Sequence, residues 1–142
     1  MTVVNGLDVP NVLAARYASA QMVEIWSPRR KVIFERELWL AVLEAQAALG
    51  INVPEGVIAD FRAVVNDVDL KSIDERERVT RHDVKARIDE FCALAGHEQI
   101  HMGMTSRDLT ENVEQMQVRR SLEIIRDRVV ATLVKLAERV AE

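Results

Sequence analysis

The chain has 142 residues, 49% hydrophobic and 30% charged, with a formal net charge of −4, which bounds it at one domain or one domain and the start of another. The acidic balance offers no basic field to hold a polyanion, which argues against nucleic-acid binding, and no run approaches the roughly 20 apolar residues needed to cross a bilayer. Cys92 is the single cysteine, so no intramolecular disulfide exists, and with no signal-peptide pattern the chain reads as cytoplasmic.

Aromatics at 4% and few Gly or Pro predict a mostly helical, all-α chain. In order, residues 1–10 read as a loose leader punctuated by Gly6, Asp8 and Pro10. Arg16 and Tyr17 follow, just ahead of Ser19, and Ser19 or a neighbour is placed to cap a short helix carrying Met22, Val23, Ile25 and Trp26. Arg is a good bidentate partner for phosphate and Tyr can stack or hydrogen-bond, but surface pairs of this kind are common. Ser27-Pro28 starts a second helix, with Ser at the N-cap and Pro at the first helical position, and Gly50 stops it. A short helix is expected from Pro54 to about Val65, and a charged one from Asp69 to about Arg78 whose charges read as a solvated face.

Thr80 and Asp83 have the spacing of a capping box. That spacing puts Arg81, His82 and Asp83 in the first turn of a helix whose apolar stripe is Val84, Ile88, Phe91 and Ala95, ending at Gly96. The helix macrodipole disfavours an imidazolium there, while Asp83 pulls the other way. Cys92, between Phe91 and Leu94, reads as a buried, inert thiol. His97 and His101 stand four apart, but Gly96 and Gly103 bracket them and no third ligand is placed to complete a site, so a metal centre is rejected.

The stretch from His101 to Asn112, HMGMTSRDLTEN, organises the chain. Gly103 lets the backbone bend, Thr105 and Ser106 set two hydroxyls side by side, and Thr105 with Asp108 repeats the capping-box spacing. From there to Glu142 there is no Gly or Pro. Leu109, Val113, Met116, Leu122, Ile125, Val129, Leu133, Leu136 and Val140 recur mostly three or four apart, the stripe of a long helix. A helix of about 35 residues would run roughly 50 Å. Its apolar face demands partner helices, and the chain is too short to supply them all. Arg119, Arg120, Arg126 and Arg128 read as a solvated or subunit-facing row. The helix mouth, with free N–H groups and a partial positive charge, suits an anionic ligand.

Three separated segments carry a resemblance: Arg16-Tyr17 with the following MVEIWS, Thr80-Arg81-His82-Asp83-Val84, and the HMGMTSRD stretch. Together they resemble the adenylosuccinate lyase branch of the fumarase/aspartase superfamily, in order and across nearly the whole chain from about Asn11. The resemblance implies an N-terminal helical domain over residues 11–108 and, over 109–142, the first long helix of a central helical bundle. It implies β-elimination of fumarate from adenylosuccinate to give AMP, and from the succinylated aminoimidazole carboxamide ribotide, with no cofactor, in a homotetramer that builds each site from several subunits.

By that likeness Arg16 and Tyr17 hold the phosphate and ribose end, and Arg81, His82 and Asp83 line the nucleotide side. His82 supports catalysis, His101 contacts phosphate or orients its neighbours, and Thr105 and Ser106 receive a succinyl carboxylate. A complete lyase of this kind continues for several hundred residues and supplies a further His as acid and a serine loop as base. Neither is in this sequence, so the 142-residue chain alone is expected to be a truncated, catalytically incompetent part. A non-catalytic helical scaffold, or a related fumarate-releasing lyase such as argininosuccinate lyase, is the alternative.

Overall fold

The structure is a computed structural model and describes residues 11–141; the leader expected over 1–10 lies outside them. Seven helices and no strand form the described chain, as the composition and periodicity lead one to expect. Among the described residues no helix is long and apolar enough to cross a membrane.

Helix α1 (Val12–Tyr17) is one that the sequence reading did not separate. Asn11 caps it, its Oδ1 accepting the N–H groups of Leu13 and Ala14 at 2.9 and 3.1 Å. Helix α2 (Ala20–Trp26) starts at Ser19. Helix α3 (Pro28–Ala48) starts where Ser27 and Pro28 direct, with the Ser27 hydroxyl accepting the Arg30 N–H at 3.1 Å. It ends through Gly50 at φ +87°, where the Gly50 N–H reaches the Ala47 carbonyl and the Ile51 N–H the Gln46 carbonyl, both at 3.0 Å. That paired bonding is a Schellman end, which a left-handed glycine permits at no steric cost.

Helix α4 (Val57–Ala63) is shorter at both ends than the Pro54–Val65 expectation. Gly56 at φ +87° is its N-cap, so the residues after Pro54 form a turn and helical geometry begins only at Val57. Helix α5 (Leu70–Thr80) is capped by Asp69, and α6 (Asp83–Ala95) follows after two residues. The capping box expected from Thr80 is not formed. Thr80 is the last residue of α5, Arg81 closes that helix in the left-handed region at φ +52°, and His82 takes the N-cap of α6. Of Arg81, His82 and Asp83, only Asp83 is helical. Cys92 is half-buried, with burial pushing its thiol up to about 11, and Leu94 is exposed. The thiol is less deeply placed than the sequence suggested.

The core gathers where α3, α4, α6 and α7 (Ser106–Val140) meet. Trp39 stacks on Phe91 with ring centroids 6.3 Å apart, and Phe91 meets Phe61 at 4.9 Å. Leu43, Val57, Val84 and Leu109 close round them. A charged pair sits inside this apolar set. Arg36, fully buried, donates to the Glu90 carboxylate and to the carbonyls of Val64 and Val65 at 2.8 and 3.0 Å, with its guanidinium 4.6 Å from the Phe91 ring centre. Glu90 also accepts the Asp69 N–H at 3.1 Å. One ion pair thus ties α3, α6, the residues after α4 and the cap of α5. A buried charge is tolerated only when paired and hydrogen-bonded in this way.

Helix α7 has two unlike halves. Leu109 and Val113 are buried against the core, and Gln117 donates to the Ile25 carbonyl at 2.9 Å. The Trp26 indole donates to Ser121 at 3.0 Å. Beyond Ser121 the apolar stripe emerges: Leu122, Val129 and Leu133 are 59%, 51% and 58% exposed. Arg119 and Arg120 pair with Glu123 on the outer surface, and Arg126 with Asp127.

Candidate functional site

The loop between α6 and α7 carries the residues on which the sequence reading rested. Gly96 leaves α6 at φ +75°, and His101 and Gly103 follow in the same region at +62° and +73°. For glycine this is easy; for histidine it costs roughly 1–2 kcal/mol, so something must hold His101 there. Two bonds from α3 do so. The Trp39 indole N–H donates to His101 Nδ1 at 2.9 Å, and Gln46 Nε2 donates to the Met102 carbonyl at 2.9 Å. The two rings meet edge to face, 88° apart. The loop then closes with Met104 N–H to the His101 carbonyl at 3.3 Å.

At the mouth of α7, Thr105 is the N-cap and Ser106 the first helical residue. Asp108 accepts the Thr105 N–H at 2.7 Å and the Thr105 hydroxyl at 3.2 Å. The Thr105 hydroxyl is therefore engaged in the cap, while Ser106 is left as the adjoining hydroxyl. A carboxylate already sits at this helix end, so an incoming anion has to share the field with Asp108.

The α5–α6 junction forms the second part. His82 Nδ1 accepts the Lys85 N–H at 3.3 Å, doing with an imidazole what a Ser or Asp side chain does at most N-caps. Thr80 is tied to His82 through N–H to Oγ1 at 3.3 Å. Asp83 accepts from Arg87 Nη2 at 2.8 Å. Burial works to raise the Asp83 carboxyl, but the Arg87 hydrogen bond, the Val84 N–H and the nearby positive charges hold it below the usual range. Arg87 turns inward as well, its Nε 2.6 Å from Glu35 Oε2.

One electrostatic influence links the two parts. Burial lowers the His101 pKa, Asp108 opposes that, and the charge of His82 lowers it further. His82 and His101 thus act within one electrostatic neighbourhood. Arg16 and Tyr17 do not join it by any contact: both are exposed at the end of α1, Tyr17 by 78%, and among the described residues no hydrogen bond or ion pair links them to the loop or the junction. His97, the other loop imidazole, pairs with Asp60 at 2.8 Å instead. Among the described residues no cluster of three or more His, Cys, Asp or Glu could hold a metal.

Sequence reasoning passed over Trp39, Gln46, Arg87 and Glu35. Only Trp39 carried a signal: a buried indole N–H needs an acceptor, and a histidine was available.

Comparison with known proteins shows what the chain is similar to. The chain is 33% identical over 132 residues to the adenylosuccinate lyase of Schistosoma mansoni, covering 91% of this chain and 27% of that protein. By sequence, the chain is similar to adenylosuccinate lyases. It is 31% identical over 118 residues to the adenylosuccinate lyase of Methanocaldococcus jannaschii, 80% of this chain and 25% of that protein. For the adenylosuccinate lyase of Synechocystis the figures are 33% over 113 residues, 78% and 26%. No family model matches. The chain spans about a quarter of the length of the curated relatives it matches. In adenylosuccinate lyase terms, the loop, the α7 mouth and the α5–α6 junction are the segments the resemblance marked, and Arg16-Tyr17 is the one standing apart.

Proposed function

We propose that this chain supplies part of the substrate-binding wall of an adenylosuccinate lyase, a purine-pathway enzyme that eliminates fumarate from adenylosuccinate to leave AMP. The same site would act on the succinylated aminoimidazole carboxamide ribotide. The observation that carries this reading is the identity to three adenylosuccinate lyases over most of this chain. The geometry suits such a substrate. A molecule bearing a phosphate and two carboxylates needs convergent hydrogen-bond donors, and Ser106, the α7 N-terminus, His101 and His82 lie on two neighbouring segments. In this reading Ser106, with Thr105 beside it, receives a succinyl carboxylate. Arg81, His82, Asp83 and His101 face the nucleotide, with His82 in support of the chemistry, and Arg16 and Tyr17 close on the phosphate end from α1.

The chain by itself binds and does not turn over. Elimination needs a base for the succinyl carbon and an acid for the leaving nitrogen. Both imidazoles spend one ring nitrogen as an acceptor within the fold, and neither is paired with a hydroxyl as a base is with its nucleophile. The working enzyme is a cytoplasmic homo-oligomer in which other segments supply those groups.

Titration of the 142-residue chain with AMP, followed by amide NMR, tests the assignment. Shifts confined to residues 81–83 and 101–106, with none caused by arginine, are expected. Shifts with arginine and none with AMP would transfer the chain to an argininosuccinate-type lyase. Fumarate release from adenylosuccinate by the pure chain would overturn its incompetence alone. The exposed stripe on α7 favours a second reading, a non-catalytic scaffold that joins lyase subunits. Co-assembly with an intact lyase, without any nucleotide-dependent shift, is the outcome that selects it.

A further inference from the structure

Trp39 is 1% exposed and lies in the packed centre of α3, yet its polar edge is directed at the loop. We propose that Trp39 is a positioning residue for the lyase reaction: its indole N–H, donated to His101 Nδ1, fixes the imidazole as the Nε2–H tautomer, so that His101 offers a substrate oxygen a hydrogen-bond donor and not a base. This rests on the assignment of His101 to the substrate site.

The chemistry follows from what an indole can do. It has a donor and no acceptor, so the ring nitrogen 2.9 Å away must bring a lone pair. In a neutral imidazole the proton is then on Nε2, which has no partner among the described residues. Protonating Nδ1 would set two N–H groups against each other, and burial opposes the charged ring as well. The groups acting on His101 are Asp108 at the α7 mouth, which favours the cation, and His82 at the α5–α6 junction, which disfavours it. His82 is fixed the same way round, its Nδ1 accepting the Lys85 N–H. Each imidazole thus uses Nδ1 as an acceptor within the fold, and His101 presents Nε2–H, an arrangement suited to an anionic ligand and unsuited to proton abstraction.

Nitrogen-15 NMR of the ring nitrogens in the 142-residue chain tests this before any ligand is added. At neutral pH, His101 should show a pyridine-type Nδ1 and a pyrrole-type Nε2. Trp39→Phe keeps the ring packing and removes the donor; the two nitrogens should move towards their exchange average and the titration midpoint of His101 should rise by up to about one unit. A pyrrole-type Nδ1 in the unmodified chain overturns the proposal without recourse to any variant, as does a Trp39→Phe spectrum in which both nitrogens stay put. AMP is then added. His101→Gln places an amide N–H near the position of Nε2, and His101→Asn reproduces only the acceptor at Nδ1. The glutamine variant should keep more AMP affinity than the asparagine variant; the reverse order refutes the donor role. Absence of AMP binding in the unmodified chain would remove the nucleotide-site reading, whereas the tautomer assignment fails only on the ligand-free spectrum.

Discussion

Glu35 Oε2 lies 2.6 Å from Arg87 Nε, yet neither Glu35 oxygen has a hydrogen bond aligned to it, and the side chain is fully buried. Burial is the larger effect. It pushes the Glu35 carboxyl up to about 7, against the lowering influence of Arg87, Lys31 and Arg36 and with the help of Asp83. The folded chain therefore keeps a proton on Glu35 that the unfolded chain releases near 4.5. Between those values the native state binds more protons, so stability falls as pH rises through the window.

Glu35→Gln removes that dependence. In urea unfolding, the unmodified chain should lose about 2 to 3 kcal/mol relative to the variant between roughly pH 5 and pH 8. Parallel pH profiles for the two proteins would show that Glu35 titrates normally.

Arg36→Met should be among the most destabilising single changes. It strands the Glu90 carboxylate in the core and leaves the Val64 and Val65 carbonyls without their donor. Breaking one partner of a buried pair costs about 3–5 kcal/mol. The loss is read from the denaturation midpoint, or from disappearance of a cooperative transition. A cost below about 1 kcal/mol, the level of an exposed pair, would contradict the structure.

Ser106→Ala in an assembled, active lyase should reduce turnover roughly 10- to 1000-fold, the scale of losing one or two oriented donors. Thr105→Ala in the same protein carries a second effect, because its hydroxyl is bound to Asp108; it should also lower thermal stability, by the ~1 kcal/mol typical of a lost cap. Unchanged turnover in the Ser106 variant would take that hydroxyl out of the site.

The far half of α7 predicts self-association. Leu122, Ile125, Val129 and Leu133 form a contiguous exposed apolar strip, of a kind that monomers seldom leave uncovered. Sedimentation of the chain should be concentration-dependent, and Val129→Glu with Leu133→Glu should shift it towards monomer without altering the helical circular dichroism. Monomeric behaviour of the unmodified chain at high concentration would refute this.

Much of this protein is written locally. Ser19, Ser27-Pro28, Gly50 and Asp69 mark helix ends through capping and left-handed geometry, which depend on residues a few positions apart. The 35-residue length of α7 likewise follows from an uninterrupted apolar period. The HMGMTSRD and TRHDV segments are legible because their residue types lie adjacent in the chain.

What the sequence alone could not decide is which competing local signal wins and which distant groups meet. Thr80 and Asp83 had the spacing of a cap, but His82 took the position because Arg81 turned left-handed to end α5. The tautomer of His101 depends on Trp39, 62 residues away, and the charge state of Glu35 on its burial among the packed helices, against the opposing pull of Arg87. Hydrogen bonds and ion pairs act over about 3–4 Å, and helix packing decides which side chains come that close. The sequence set most of the elements and the resemblance; tertiary contact set the chemistry of His101.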